Sequence, residues 1–207
     1  ISVYGMIRHN ADLQQPAGKE GVEDITDGLF SYGTMHHDRL AFRKALDDVP
    51  AWISAGTGFS MKVPAQKFEA GMKLLAENEL EPAFPEQAFT IVRMQTAQAQ
   101  AGELQTPDYL FGRAISRAIS PPKDPTLREA TPQTIMSFTP AYVHAYYTSV
   151  FRPDMTTIVI TGDISHDQAR AVTEHAYGAW KADGPNPGND HPQRPASKAC
   201  PAHVPDP

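Results

Sequence analysis

Apolar positions along this chain keep two rhythms. The first eight residues mix β-branched and aromatic side chains (Ile1, Val3, Tyr4, Ile7) and predict a strand. A loop over 9–19, marked by Asn10, Asp12, Pro16 and Gly18, comes next. Val22, Ile25, Leu29 and Phe30 then fall at helical spacing on one face, and Gly33 stops that helix. Asp38 is placed to cap another, with Leu40, Phe42, Ala45 and Leu46 beneath it. Residues 51–63 alternate as a strand pair turning at Gly56 and Gly58, and Pro64 ends them. Helical spacing returns over 65–80 with Phe68, Met72, Leu75 and Ala76, and over 85–104 with Phe89, Val92 and Met94.

Three threonine-proline pairs predict helix starts, because a threonine caps and a proline fits the first turn. Thr106-Pro107 leads into Tyr109, Phe111, Ala114, Ile115 and Ile119. Thr131-Pro132 opens a short helix, and Thr139-Pro140 one that buries Val143, Tyr146, Tyr147 and Val150, with His144 packing among the aromatics. Residues 156–161 predict a buried strand, Gly162-Asp163 a turn, and Ser165 the cap of a helix through Ala169, Val172 and Ala176. Gly-Asp after a strand also occurs in nucleotide-binding sheets, but no glycine-rich phosphate loop accompanies it here. From 183 to 207 prolines recur (Pro185, Pro187, Pro192, Pro195, Pro201, Pro205, Pro207) among few apolar residues, the composition of a stiff linker. The expected division is therefore one domain over 1–182 and a linker over 183–207, leading to a further domain.

At 207 residues and 41% hydrophobic content the chain has enough material for one good core. Its formal net charge of -6 argues against nucleic acid or an anionic membrane as the main partner, since both reward clustered Lys and Arg. No run of apolar residues is long enough to span a bilayer. The single cysteine, Cys200, forms no internal disulfide and leaves the redox compartment open. The chain opens at Ile1 inside a predicted strand, without a leader, and is expected to be a fragment.

The stretch Gly18-Lys19-Glu20-Gly21-Val22 through Asp24-Ile25-Thr26-Asp27-Gly28 to Gly33-Thr34 resembles the pitrilysin or insulinase metallopeptidases, which include the mitochondrial processing peptidase. In that family the helix carries His-x-x-Glu-His, whose two histidines grip Zn²⁺ while the glutamate activates bound water. On that frame the histidines fall at Asp24 and Gly28 and the glutamate at Asp27. The third ligand, on the 85–104 helix, falls near Ala99 or Gln100, with Glu103 the closest carboxylate. A second stretch carries the same resemblance: Phe151-Arg152-Pro153-Asp154, the β-run to Gly162-Asp163, and Tyr177-Gly178-Ala179-Trp180.

The resemblance implies an α+β fold, a mostly antiparallel sheet with helices packed on one face. It implies a zinc-free half whose catalytic positions are lost: no catalytic residue and no metal ligand at Asp24, Asp27, Gly28 or Ala99, and no cofactor in this chain. Zinc is expected in a separate catalytic half, the two halves closing around a peptide substrate, with a following domain as further partner. The compartment it suggests is the bacterial periplasm, or alternatively the mitochondrion. Another reading is a scaffold or peptide-binding subunit without proteolysis. A third takes unusual ligands from His36, His37 and Asp24, although adjacent histidines diverge and rarely share one ion. Arg113 and Arg117, four apart, read as a solvated helix face or as a clamp for an acidic group.

Overall fold

A computed structural model describes residues 1–9, 15–121 and 123–187. Cys200, most of the proline-rich stretch, and Asn10 and Asp12 lie outside the described residues. Four strands form one sheet in the order β2-β3-β1-β4. They are β1 (Ser2–Ile7), β2 (Trp52–Ser54), β3 (Gly58–Lys62) and β4 (Thr156–Thr161). All pairings are antiparallel: Val3 faces Met61 on one side and Ile160 on the other, and Ile53 also faces Met61.

Because side chains alternate along a strand, the sheet sorts its residues by face. Val3, Ile7, Phe59 and Met61 turn inward and are buried, while Tyr4, Met6, Trp52 and Val159 stay exposed on the other face. The helices are α1 (Val22–Leu29), α2 (Arg39–Asp48), α3 (Phe68–Leu80), α4 (Glu86–Glu103) and α5 (Pro107–Ile119). They are followed by α6 (Pro132–Met136), α7 (Pro140–Val150) and α8 (His166–Tyr177). One continuous core joins the inner sheet face to Val22, Ile25 and Leu29 of α1, Met72 and Leu75 of α3, Val92 of α4 and Val143 of α7. The expected α+β architecture, an antiparallel sheet with helices packed on one face, is the one observed.

Local chemistry sets the helix starts where the sequence placed them. Asp38 accepts from the amides of Leu40 and Ala41, and Thr106, Thr131, Thr139 and Ser165 each cap their helix through the side chain. Several expected core positions turn outward instead. Leu40 is 81% exposed and Met94 56%, and α5 buries no residue at all, with Phe111, Ile115 and Ile119 open to solvent. β4 has one face on the uncovered side of the sheet, so Thr157, Val159 and Thr161 are exposed and only its other face is covered. A spacing pattern marks which residues share a face but not whether anything covers it.

Arg152, 5% exposed, ties the end of the described chain to the domain. It pairs with Asp154 at 3.0 Å and donates to the carbonyl oxygens of Asp183 and Gly184 at 2.5 and 3.0 Å.

Candidate functional site

Helix α1 lies against α4, and Gly28 faces Val92 there. A Cβ built there meets Val92 Cγ1 at 2.8 Å, inside the distance that real contacts keep. The position on which the resemblance places the second histidine is thus filled from outside by a valine.

Asp27, one residue earlier, faces the loop between β2 and β3. Its Oδ1 accepts from the Thr57 amide at 3.0 Å, and its Oδ2 lies 2.7 Å from Thr57 Oγ1. That hydroxyl also lies 3.0 Å from Glu23 Oε1. A hydroxyl has one proton to give. Shared between two carboxylates, that proton serves both only as a three-centre bond, whereas a proton taken up by Asp27 can be donated to Thr57 Oγ1 and leave the hydroxyl to donate fully to Glu23. The electrostatics agree: burial pushes the Asp27 carboxyl up to about 6 against the pull of its bonds from Thr57, with Glu23 and Asp24 adding repulsion.

Glu23 is the charged member of the network. Burial works against its ionised form, but bonds from His9, Thr57 and Tyr146 outweigh burial and hold its carboxyl below the usual range. His9 Nε2 sits 2.8 Å from Glu23 Oε2, and His9 Nδ1 lies 3.2 Å from the Ile7 carbonyl oxygen. An acceptor at each ring nitrogen favours the protonated imidazole: burial lowers its pKa, and the Glu23 bond and charge raise it above the ordinary value. Tyr146 donates to Glu23 Oε2 at 3.3 Å, and burial followed by that negative charge pushes its phenol far up, so it stays neutral.

Behind the loop stands Glu79 on α3, 1% exposed. Its Oε1 accepts from the Gly56 amide at 2.8 Å, and its Oε2 has no partner among the described residues. Burial raises this carboxyl well above the usual range, with the Asp27 charge adding to the shift, so the group is a neutral acid in the fold. Gly56 is required between the two acids, because its φ of +141° is left-handed and a Cβ would lie 2.9 Å from Asp27 Cγ.

The other sequence-flagged positions lie outside this network. Asp24 is on the exposed side of α1, yet the protein displaces enough of its water to raise its carboxyl, and Glu23 and Glu103 add repulsion. Ala99 is exposed on α4. His36 and His37 are not bare loop histidines. His36 pairs with Glu81 and His37 with Glu77, each at 2.7 Å, so the two rings turn to different carboxylates as their diverging directions require. Arg113 faces Glu129 and the Leu127 carbonyl, and Arg117 lies 3.9 Å from the same Glu129, which places that pair on an intramolecular acid.

These residues do not fit zinc. Position 28 has no side chain and no room for one, Asp27 is bound to Thr57, and the nearby imidazole of His9 is engaged at both nitrogens. Among the described residues no group of three or more His, Cys, Asp or Glu is arranged to hold a metal ion. Sequence reasoning missed Glu79, His9, Thr57 and Tyr146. Only Glu79 left a signal, an acid at helical spacing from the buried Met72, Leu75 and Ala76.

Residues 137–205 match the family model described as the peptidase M16 inactive domain. No curated protein matches the chain in sequence. Among solved structures, the peptidase M16 inactive domain from Pseudomonas fluorescens superposes with a TM-score of 0.80 at 18% identity, over 96% of this chain and 49% of that one. A protease from Helicobacter pylori gives 0.76 at 16% identity, over 95% and 49%. The periplasmic protease PqqL from Escherichia coli gives 0.70 at 15%, over 95% and 23%. The chain therefore spans about half the length, or less, of the solved chains that share its fold. In fold throughout its described residues, and in sequence over 137–205, this chain is similar to the inactive domain of the M16, or pitrilysin/insulinase-type, peptidases.

Proposed function

We propose that this chain is a non-catalytic domain of an insulinase/pitrilysin-like zinc metallopeptidase, one that helps wall the chamber in which a separate zinc-bearing half cleaves peptides. The observation that carries the reading is the fate of the catalytic helix. The scaffold keeps α1 and α4 in contact, but Val92 stands where a ligand would, and the neighbouring acid is turned into a hydrogen-bonded network. Catalytic zinc needs three protein ligands and an open position. A wall domain needs only shape and surface.

The partners of this reading are a peptide, a zinc-bearing domain or subunit, and a following domain. The division into a domain over 1–182 and a linker over 183–207 belongs to the same proposal, with Arg152 anchoring the first residues of the linker. Likeness to a periplasmic protease supports the bacterial periplasm as its compartment.

The test is metal analysis of the purified 207-residue chain together with cleavage of an unstructured peptide, with and without chelator. Substoichiometric zinc and no chelator-sensitive cleavage are expected from the chain alone, and cleavage is expected on adding the zinc-bearing half. One zinc per chain, or chelator-sensitive cleavage by the chain itself, would refute the reading. Cleavage by the zinc-bearing half that is indifferent to this chain would favour a scaffold role instead.

A further inference from the structure

A cavity of about 420 Å³ lies between α1, α2 and the edge strand β2, within the size range of small-ligand sites (roughly 300–1,000 Å³). Its floor is apolar and fixed, made by Phe30, Phe42 and Leu46, all buried against the cores. At its mouth stand Arg39 and Arg43, four apart on α2 and therefore on one face of the helix. Neither guanidinium has a hydrogen-bond or ion-pair partner among the described residues. Arg39 instead lies over the Tyr32 ring, 4.8 Å from its centre, which holds the group in place and leaves its N–H edges free.

We propose that this cavity binds the C-terminal residue of a peptide, its apolar side chain on the floor and its α-carboxylate between Arg39 and Arg43. An apolar floor alone accepts any greasy group. Two unpartnered cations at its mouth select one that ends in a negative charge, and a planar guanidinium meets a carboxylate with two parallel hydrogen bonds. The one carboxylate in the lining, Asp27, makes its hydrogen bonds to Thr57 and no ion pair with either arginine. Leu40, 81% exposed on the same helix, is an apolar lip that a bound side chain would cover. A peptide rather than a free acid is indicated by Ser54 in the lining. It belongs to β2, an edge strand whose outer N–H and C=O groups have no strand partner, so the main chain leading away from the ligand meets polar groups. The inference rests on this cavity and not on the peptidase reading, and would stand if that reading failed.

The experiment is calorimetric titration of the 207-residue chain with N-acetyl-glycyl-glycyl-phenylalanine as the free acid and as its C-terminal amide. The acid is expected to bind at least tenfold more tightly than the amide. Arg39→Gln and Arg43→Gln together should erase that preference, while Lys44→Gln, next on the helix but outside the lining, should preserve it. All three side chains are exposed, so the fold is not at stake. Equal binding of acid and amide, no binding of the acid, a preference that survives the double substitution, or one lost in Lys44→Gln would each overturn the proposal. Binding of 3-phenylpropionate as tightly as the peptide acid would overturn the peptide assignment in favour of a small-acid site.

Discussion

Replacing Asp27 with asparagine tests whether the acid network holds a proton. In the fold its carboxyl titrates at about 6 against an ordinary 3.8. The folded state therefore binds that proton more tightly than the unfolded chain does. This contribution to stability is fully present below pH 4 and is lost as pH rises through 6. At about 1.4 kcal/mol for each tenfold difference in proton affinity, the loss amounts to about 3 kcal/mol above pH 7. Asparagine keeps the acceptor for the Thr57 amide, and its NH₂ donates to Thr57 Oγ1 just as the protonated acid does, with no charge to bury. At pH 7.5 Asp27→Asn is expected to be more stable than the parent by about 2 kcal/mol, after deducting about 1 kcal/mol for imperfect hydrogen-bond geometry. At pH 4.5 the two proteins should differ by less than about 1 kcal/mol. Urea unfolding at a series of pH values, with both proteins carrying Glu79→Gln so that the coupled titration of Glu79 is absent, measures the difference directly. A gap that does not change with pH, or a parent more stable than the variant at pH 7.5, would refute the proton assignment.

Two further substitutions probe the packing around the site. Gly28→Ala forces a methyl against Val92 and should cost about 1–3 kcal/mol in thermal or urea unfolding. Combining it with Val92→Ala should return part of that loss, a non-additivity expected only of groups in contact. Arg152→Met leaves the Asp183 and Gly184 carbonyls without their donor and should lower the midpoint of urea unfolding. It should also speed limited proteolysis near residue 184, whereas equal cleavage rates would show that the clamp does not hold the segment.

What the sequence made legible was local. Helix starts at Asp38, Thr106, Thr131, Thr139 and Ser165 follow from a side chain reaching an amide two or three residues away, and all five form as the sequence places them. The inward faces of α1 and α3 were legible for the same reason, since helical spacing is a short-range property. What stayed hidden was long-range. His9, Glu23, Thr57 and Tyr146 come from four separate segments and meet only in the fold. Phe111, Ile115 and Ile119 fall on the helix that the sequence places there, yet no described element is placed over them. The absence of histidines at Asp24 and Gly28 was visible in the letters, but the valine that closes the space was not.

The strand order also governs how the molecule is made. β1 is flanked by β3 on one side and β4 on the other, so Val3 waits for Ile160 before its second neighbour exists. On a ribosome, which delivers β1 long before β4, one flank of β1 stays bare while everything between them is made, and closing so long a loop is slow. The nascent protein therefore carries an unsatisfied strand edge until Thr156–Thr161 has been translated, and a chaperone that shields such edges would have its longest task here.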